Sequence, residues 1–218
     1  MPIAKALPAA TVILLRDVEA GFETFLMRRS ATMRFAPGMY VFPGGRVDDD
    51  DVDNGDELSG FLNCAVREVF EETGVVLPQQ PGDLIFADHW VTPEFVPSRF
   101  SARFYLARMP RGQAATSLST ETDLVTWTSP ANALIENAAG RLPLLLPTQL
   151  VLQWLAEHSS VQGLIAAAQL REIKPKLPRP MKNHDGTEVW AVVDAVTGEV
   201  LIEDQPAPKL SELTGLPR

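Results

Sequence analysis

The sequence has few of the features that mark secreted, membrane-bound or nucleic-acid-binding proteins. It contains one cysteine, Cys64, among 218 residues, so no disulfide framework can form within the chain and the cytoplasm is the expected compartment. No apolar run reaches the length that spans a membrane. The run at 6–15 is interrupted by Pro8 and lacks a clear cleavage site, so we expect a buried strand there and no membrane partner.

Basic residues are also scarce. The 19 Lys and Arg against 28 Asp and Glu give a net charge of −9. Seven of those acids and no base lie between Asp48 and Glu57, so the rest of the chain carries only −2. A nucleic-acid partner is not expected, because such a surface needs a basic patch to replace counterions. The acidic run lacks the spacing of a calcium-binding loop, and a solvated loop is predicted.

Apolar residues make up 45% of the chain and charged residues 22%, as in ordinary globular proteins. The patterns predict a hairpin at 11–16 and 22–29, strands at 40–42, 84–91, 99–108 and 124–127, helices at 60–73, 130–138, 148–158 and 161–170, and a terminal hairpin at 187–193 and 199–203. The proline-rich segment 174–180 is predicted to be a stiff connector. Because helices and strands mix without strict alternation, the expectation is an α+β fold with a mixed sheet.

The helix predicted to end before Gly74 concentrates negative charge on one face. Glu68 and Glu72 are four residues apart and lie one turn apart, while Glu71 borders the same face. Apolar residues form a stripe on the other side: Leu62, Val66, Val69 and Phe70. Like charges at this spacing weaken a helix by a few tenths of a kcal/mol, so the cluster indicates a bound divalent cation. Solvated surface glutamates are the alternative.

Two segments of this region match a known signature. The first is Val41-Phe42-Pro43-Gly44-Gly45, and the second consists of Arg67, Glu68, Val69, Glu71, Glu72, Gly74 and Val75. Together they resemble the Nudix hydrolase box, G(x5)E(x7)REU(x)EE(x)GU, whose second half fits at every specified position. The resemblance implies an αβα sandwich with the catalytic helix after the FPGG loop. Residues 1–218 would form one domain, with 48–59 as an acidic insertion loop and 148–218 as a C-terminal helical and hairpin extension.

The resemblance also implies a metal-dependent site. Mg²⁺ or Mn²⁺ would neutralise the phosphates and activate water, and Mg²⁺ is a hard cation that prefers oxygen ligands. Glu68 and Glu72 would be the main ligands, Glu71 a third, and a backbone carbonyl near Gly44 and Gly45, that of Gly45 first, would help. Family members often recruit another acid from beyond the box as ligand or general base. Glu121 is the candidate and Asp123 the reserve, with a merely exposed loop acid as the alternative.

The box is interrupted before Arg67, the arginine that in the family pattern braces the helix through an ion pair with an earlier glutamate. Ser59 stands eight residues before Arg67, where the pattern has glutamate. Gly45 precedes Arg67 by 22 residues, where the pattern allows 14. Eight residues are thus inserted, and Asp56 or Glu57 could supply the brace. The metal ligands on the helix are not affected by this departure.

The insertion resembles the branch related to peroxisomal coenzyme A diphosphatases. Arg29-Ser30, Arg34, Gly38 and the FPGG segment fit that branch's motif R(S/A)(x3)R(x3)G(x3)FPGG. Later segments look similar too: Trp90-Val91-Thr92-Pro93, Arg99-Phe100, Phe104, Glu121, Trp127, Pro130 and Leu146-Pro147-Thr148. The resemblance implies cleavage of coenzyme A or acyl-CoA into 3′,5′-ADP and 4′-phosphopantetheine or its acyl form. Arg29 and Arg34 would contact the phosphates, because a guanidinium fork binds phosphate oxygens at two points; solvated arginines are the alternative.

Several alternatives stay open at the level of the sequence. The same chemistry suits another small nucleotide substrate, such as ADP-ribose or a dinucleotide, and a Nudix-fold protein can also bind a nucleotide without cleaving it. Cys64 has no accompanying histidine pattern, so a buried structural thiol is expected in preference to a nucleophile. The terminal hairpin can pack on its own core or on a second subunit, so a homodimer is not decided.

Overall fold

The computed structural model describes residues 4–33, 36–80, 82–182 and 185–205. Ten strands lie within these ranges: β1 (Leu7–Val18), β2 (Gly21–Arg29), β3 (Tyr40–Val41), β4 (Gly44–Arg46), β5 (Ile85–Val91), β6 (Phe100–Arg108), β7 (Thr122–Thr128), β8 (Lys176–Lys182), β9 (Glu188–Asp194) and β10 (Val200–Gln205). The helices are α1 (Glu57–Thr73), α2 (Pro130–Ala138), α3 (Leu146–Ala156) and α4 (Val161–Leu170), and a 3₁₀ turn spans Asp49–Asp51.

All of these strands belong to one sheet. Its order is β10-β9-β8-β5-β6-β1-β2-β3, with β4 also pairing with β1 and β7 with β2. The β1–β6 and β5–β8 pairs are parallel and the other pairs are antiparallel. The sheet is therefore mixed, and the predicted α+β class is confirmed.

The two faces of the sheet carry two separate cores. Along β1, Val12 and Leu14 pack into the cluster that contains Cys64 of α1. Ile13 and Leu15 point to the opposite face, where the second cluster takes its apolar side chains from α2, α3 and α4. Successive strand residues alternate between faces, so a central strand whose residues are apolar on both sides needs a helical layer over each face. The predicted αβα sandwich is confirmed.

Helix α1 packs through a row that differs from the predicted stripe. Its buried residues include Phe61, Ala65 and Val69, which are spaced four apart, whereas Phe70 is 53% exposed. Each residue turns the helix by about 100°, so packing along this row carries Phe70 round to solvent. Gly74 ends the helix as predicted, at a left-handed φ of 75°.

The proline-rich segment is a strand, so the predicted stiff connector is wrong. β8 pairs antiparallel with β9 along its length, but pairs with β5 only at Lys176 and Trp90. Alternate residues turn their N–H groups to the same edge of a strand. Pro178 and Pro180 therefore remove donors only from the edge that faces β5, beyond the single pairing, and proline is tolerated at such an edge.

The terminal hairpin packs on this chain's own sheet. β9 and β10 pair antiparallel, as predicted, and β9 joins the sheet through β8. Val192 is fully buried in the core beneath α3 and α4, and Ile202 packs against the same core. Among the described residues, every helix is too short or too polar to cross a membrane.

Candidate active site

The FPGG loop runs against β1 on one side and against α1 on the other. Gly44 has φ 153°, and a Cβ there would lie 2.3 Å from the backbone oxygen of Ala10. At Gly45 a Cβ would lie 2.3 Å from Oε1 of Glu68. Glycine at both positions thus lets the main chain pair with β1 and leaves room for the Glu68 carboxylate.

The glutamates that the sequence predicts as ligands differ in burial. Glu72 is partly buried, and its Oε2 accepts a hydrogen bond from the Gly44 backbone N–H at 2.8 Å. Burial raises the pKa of Glu72 to about 8, against the opposing effect of that hydrogen bond. Burial also raises the pKa of Glu68, while Glu71 is exposed. Two carboxylates whose ionised form is disfavoured by burial, on one helix face, are a suitable setting for a cation.

Arg67 uses all five of its N–H donors. Nε and Nη2 donate to the two carboxylate oxygens of Asp51 at 2.9 and 2.8 Å. Nη2 also donates to the Arg46 carbonyl at 3.1 Å, and Nη1 donates to Glu68 at 2.8 Å and to Glu71 at 3.2 Å. The hydrogen bond to Asp51 is the largest of the effects that raise the pKa of Arg67. A guanidinium with every donor engaged is held in one orientation.

The acid that takes the place of the earlier motif glutamate in pairing with Arg67 is therefore Asp51, and not Asp56 or Glu57. Asp51 is 5% exposed at the end of the 3₁₀ turn, so the predicted solvated loop is wrong at this residue. Asp56 instead caps α1, accepting from the N–H groups of residues 58 and 59. Asp51 stands six residues after Gly45, the spacing that G(x5)E gives to the motif glutamate. Counting forward from Gly45 would have identified it; the insertion lies between Asp51 and Arg67.

The structure brings Arg29 and Glu121 to the same place as the helix glutamates. The Ser30 N–H donates to the Glu121 carbonyl at 2.7 Å, and both Arg29 and Glu121 line the cleft described below. Burial lowers the pKa of Arg29, against the opposing charges of Glu121 and Glu72. The reserve acid Asp123 lies outside this cleft and pairs with Arg28 at 2.7 Å. Arg34 lies outside the described residues.

These groups lie in a cleft of about 840 Å³. Many positions that carry the sequence resemblance also line it: Trp90, Val91, Thr92, Pro93, Phe100, Phe104, Pro147 and Thr148. Sequence reasoning missed Arg46, Val96 and Pro178, which line the same cleft. No signal in the sequence marks Val96, but Arg46 directly follows the glycine pair.

The donor set fits a hard divalent cation. Within the described ranges, no three His, Cys, Asp or Glu side chains converge closely enough to hold an ion by themselves. Mg²⁺ usually takes only one or two protein carboxylates and keeps water or substrate phosphates in its remaining positions. The carboxylates of Glu68 and Glu72 on α1, two residues that line one cleft, match that requirement.

Cys64 is the buried thiol that the sequence predicts. It is fully buried, and its Sγ donates to the carbonyl of Arg46 at 3.3 Å. Burial raises the pKa of Cys64 to about 12, so the thiolate needed for nucleophilic attack is not formed near neutral pH. Its role is to pack α1 against β1 and β4.

Comparison with known proteins identifies the family of the chain. The model of the NUDIX domain family matches residues 5–148. A Caenorhabditis elegans protein named "Putative nudix hydrolase 7" is 29% identical over 208 residues, covering 80% of this chain and 68% of that protein. The crystal structure of a NUDIX hydrolase from Alicyclobacillus acidocaldarius superposes with a TM-score of 0.66 at 25% identity, covering 76% of this chain and 97% of that one. The NUDIX domain of Shewanella oneidensis NrtR, crystallised with ADP ribose, shares the fold at a TM-score of 0.51 and 17% identity, covering 71% of this chain and 88% of that one.

The family match covers well over half of the chain and includes both halves of the box. Members of this family generally use divalent metal ions and bind small nucleotide substrates. The chain belongs to the Nudix family and is a hydrolase of phosphoric anhydrides in nucleoside diphosphate derivatives.

Proposed function

We propose that the protein cleaves the diphosphate linkage of coenzyme A or acyl-CoA, giving 3′,5′-ADP and 4′-phosphopantetheine or its acyl form. The observation that carries the proposal is the position of Arg29. This arginine begins the coenzyme A-type motif upstream of the FPGG loop, and it lines the same cleft as Glu68 and Glu72. A substrate diphosphate in that cleft would meet a guanidinium and carboxylates together.

The carboxylates of Glu68 and Glu72, with Glu71 and the Gly45 carbonyl, are proposed to hold Mg²⁺ or Mn²⁺. When bound, such an ion would neutralise phosphate charge and acidify a water molecule. Arg67, itself held by Asp51, keeps the Glu68 carboxylate in place through its 2.8 Å hydrogen bond. Gly44 does the same for Glu72 through its backbone N–H.

Glu121 is proposed as the general base. It lines the cleft, and Asp123 is engaged elsewhere with Arg28. The water oxygen forms a bond to phosphorus, its proton passes to the carboxylate, and the anhydride P–O bond breaks. The leaving phosphate takes the electron pair, and Arg29 is placed to offset its charge. Arg34 keeps its predicted role as a further phosphate contact.

We also propose the domain organisation, the cellular compartment and the oligomeric state of the enzyme. A single domain is supported by the continuous sheet, in which β8 to β10 extend the part that matches the family. The cytoplasm is supported by the free thiol of Cys64. A homodimer remains a hypothesis to be tested by light scattering.

The test is a substrate comparison with the purified protein and Mg²⁺. Coenzyme A and ADP-ribose are incubated in parallel between pH 7 and 9, and products are identified by chromatography. We expect 3′,5′-ADP from coenzyme A, at a kcat/KM above that for ADP-ribose. A clear preference for ADP-ribose would replace the coenzyme A assignment by the alternative substrate class. Absence of cleavage for every diphosphate tested would favour a protein that only binds nucleotides.

A further inference from the structure

We infer that the far arm of the cleft, formed by β5, β6 and β8, binds the uncharged pantetheine part of the substrate, and that Lys176 on β8 positions its wall. This inference rests on the proposed function in that it takes coenzyme A as the substrate. β8 lies beyond residue 148, where the match to the family domain ends.

The cleft floor follows a row of paired residues on neighbouring strands, and the last member of the row, Lys176, lies outside the lining of the cleft. Arg46 of β4 pairs with Ala9 of β1, which pairs with Ala102 of β6. Ala102 pairs with Trp90 of β5, and Trp90 pairs with Lys176 of β8. Strands lie about 4.8 Å apart, so four steps span about 19 Å. Two alanines in the middle of the row leave an open channel from the glutamates to β8.

Charge is confined to one end of this channel. The charged residues that line the cleft are Arg29, Arg46, Glu68, Glu71, Glu72 and Glu121. The hydrogen bonds and charge interactions given above place them around β4 and the end of α1. The far arm is lined by apolar and hydroxyl side chains, among them Val96, Phe100 and Pro178. A charged nucleotide would lose its hydration there without gaining a partner, whereas an amide-containing chain with an apolar end would not.

The wall of the far arm is held by a buried ion pair. Lys176 Nζ donates to both oxygens of Asp88 at 2.7 Å, and these two side chains are 12% and 4% exposed. Asp88 Oδ2 accepts the indole N–H of Trp90 at 3.1 Å, and Lys176 Nζ also lies 5.2 Å from the centroid of the Trp90 ring. Lys176 does not line the cleft. It is a positioning residue that acts on Trp90 through Asp88.

The first experiment separates binding from turnover in coenzyme A hydrolysis. Lys176→Met removes the ammonium but keeps most of the apolar stem, so Asp88 loses its cation and Trp90 loses its fixed partner. We expect KM to rise about tenfold while kcat stays within about twofold, because the reacting groups are not altered. Lys174→Met is the matched control, because Lys174 lies two residues before Lys176 and forms an exposed ion pair with Glu199. This variant should leave KM unchanged. An unchanged KM in Lys176→Met overturns the inference.

The second experiment uses pantetheine as a probe and needs no catalysis. Titration of the native protein should change its tryptophan fluorescence, and Trp90→Phe should remove that change although three other tryptophans remain. Lys176→Met should raise the half-saturating pantetheine concentration about tenfold, while ADP binding measured by calorimetry stays the same. No pantetheine response in the native protein, or equal loss of ADP binding, contradicts the inference.

The outcomes for the two proposals are distinguishable. If the native protein does not cleave coenzyme A, the proposed function fails, and pantetheine binding still reports on the far arm. If it cleaves coenzyme A but shows neither the KM change nor the fluorescence response, the inference alone fails. Circular dichroism checks folding; should Lys176→Met be unfolded, Trp90→Phe must show the rise in KM instead, and an unchanged KM there counts against the inference.

Discussion

Gly44 and Gly45 are adjacent residues whose missing side chains serve different purposes. A Cβ on Gly44 would meet backbone atoms of β1, which cannot move aside, and the φ of 153° is one that side chains disfavour. A Cβ on Gly45 would instead meet the carboxylate of Glu68. Gly44 is therefore a requirement of the fold, whereas Gly45 is a requirement of the site.

Alanine substitution should separate these roles. We expect Gly44→Ala to lower the free energy of unfolding by about 2 kcal/mol or more, because β1 and β4 must move apart. Gly45→Ala should displace Glu68 and reduce metal-dependent hydrolysis at least about tenfold, with little change in unfolding. Urea unfolding and steady-state assays on both variants check this. Equal effects on stability would show that Gly45 also serves the fold.

Single residues of the site were predictable where their spacing alone carried the information. The shared face of Glu68, Glu71 and Glu72 follows from helical periodicity, and the burial of Cys64 was predicted because no histidine pattern accompanies it. The acid that pairs with Arg67 was predicted wrongly, because the eight inserted residues separate Asp51 from Arg67 and only the spacing from Gly45 is preserved. The turn at Asp49–Asp51 brings Asp51 to the guanidinium, and the composition of the acidic run by itself does not distinguish Asp51 from its neighbours.

The acidic insertion loop and helix α1 pack together as one unit. Asp51 Oδ2 accepts from the Asp48 N–H at 2.9 Å, and Asn63 of α1 donates to the Asp51 carbonyl at 2.9 Å. Gly60 of α1 lies against Val52, since a Cβ there would be 3.0 Å from the valine side chain. The helix thus supplies both a hydrogen bond and space for the turn that carries Asp51.

Asp51→Asn should weaken this unit. The variant keeps the shape of the side chain but leaves Arg67 without its buried counter-charge, so we expect a loss of about 2 kcal/mol in unfolding free energy. Hydrolysis should fall as well, because Arg67 also holds Glu68. Chemical denaturation and activity assays measure the two effects.

The matched control for this variant is Asp50→Asn in the same turn. Asp50 is exposed, and within the described residues its side chain makes no hydrogen bond or ion pair. The Asp50→Asn variant should therefore leave the free energy of unfolding and the hydrolytic activity unchanged. Similar losses in both variants would mean that the overall charge of the insertion, and not the Asp51–Arg67 pair, is what matters.

The residue patterns predicted most of the helices and strands correctly. They did not predict β8. Three prolines in 174–180 predict a connector when the segment is considered alone. The strand exists because β9 supplies hydrogen-bond partners on one edge, while Pro178 and Pro180 remove donors only from the other edge. Tertiary pairing thus overrides local preference, and no single-segment pattern reveals which edge will be paired.

In the whole molecule, the mixed sheet joins the two ends of the cleft. The glutamates stand beside β4, and β8 contributes the opposite end of the cleft from beyond the part that matches the family. The αβα layering was predicted from the resemblance to the Nudix family, and the apolar residues on both faces of β1 account for it. The cleft was not predicted, since it arises where the floor, the FPGG loop and the start of α3 meet.

The carboxylates of α1 are proposed to support metal-dependent anhydride cleavage. The most direct measurement is hydrolysis of coenzyme A with Mg²⁺ by the native protein, by Glu72→Gln and by Glu57→Gln, which alters an exposed glutamate at the start of the same helix. We predict that Glu72→Gln loses at least about 10³-fold in kcat, that Glu57→Gln matches the native protein, and that EDTA abolishes all activity. Normal hydrolysis by Glu72→Gln, or hydrolysis that persists in EDTA, would show that these carboxylates do not hold a catalytic metal ion.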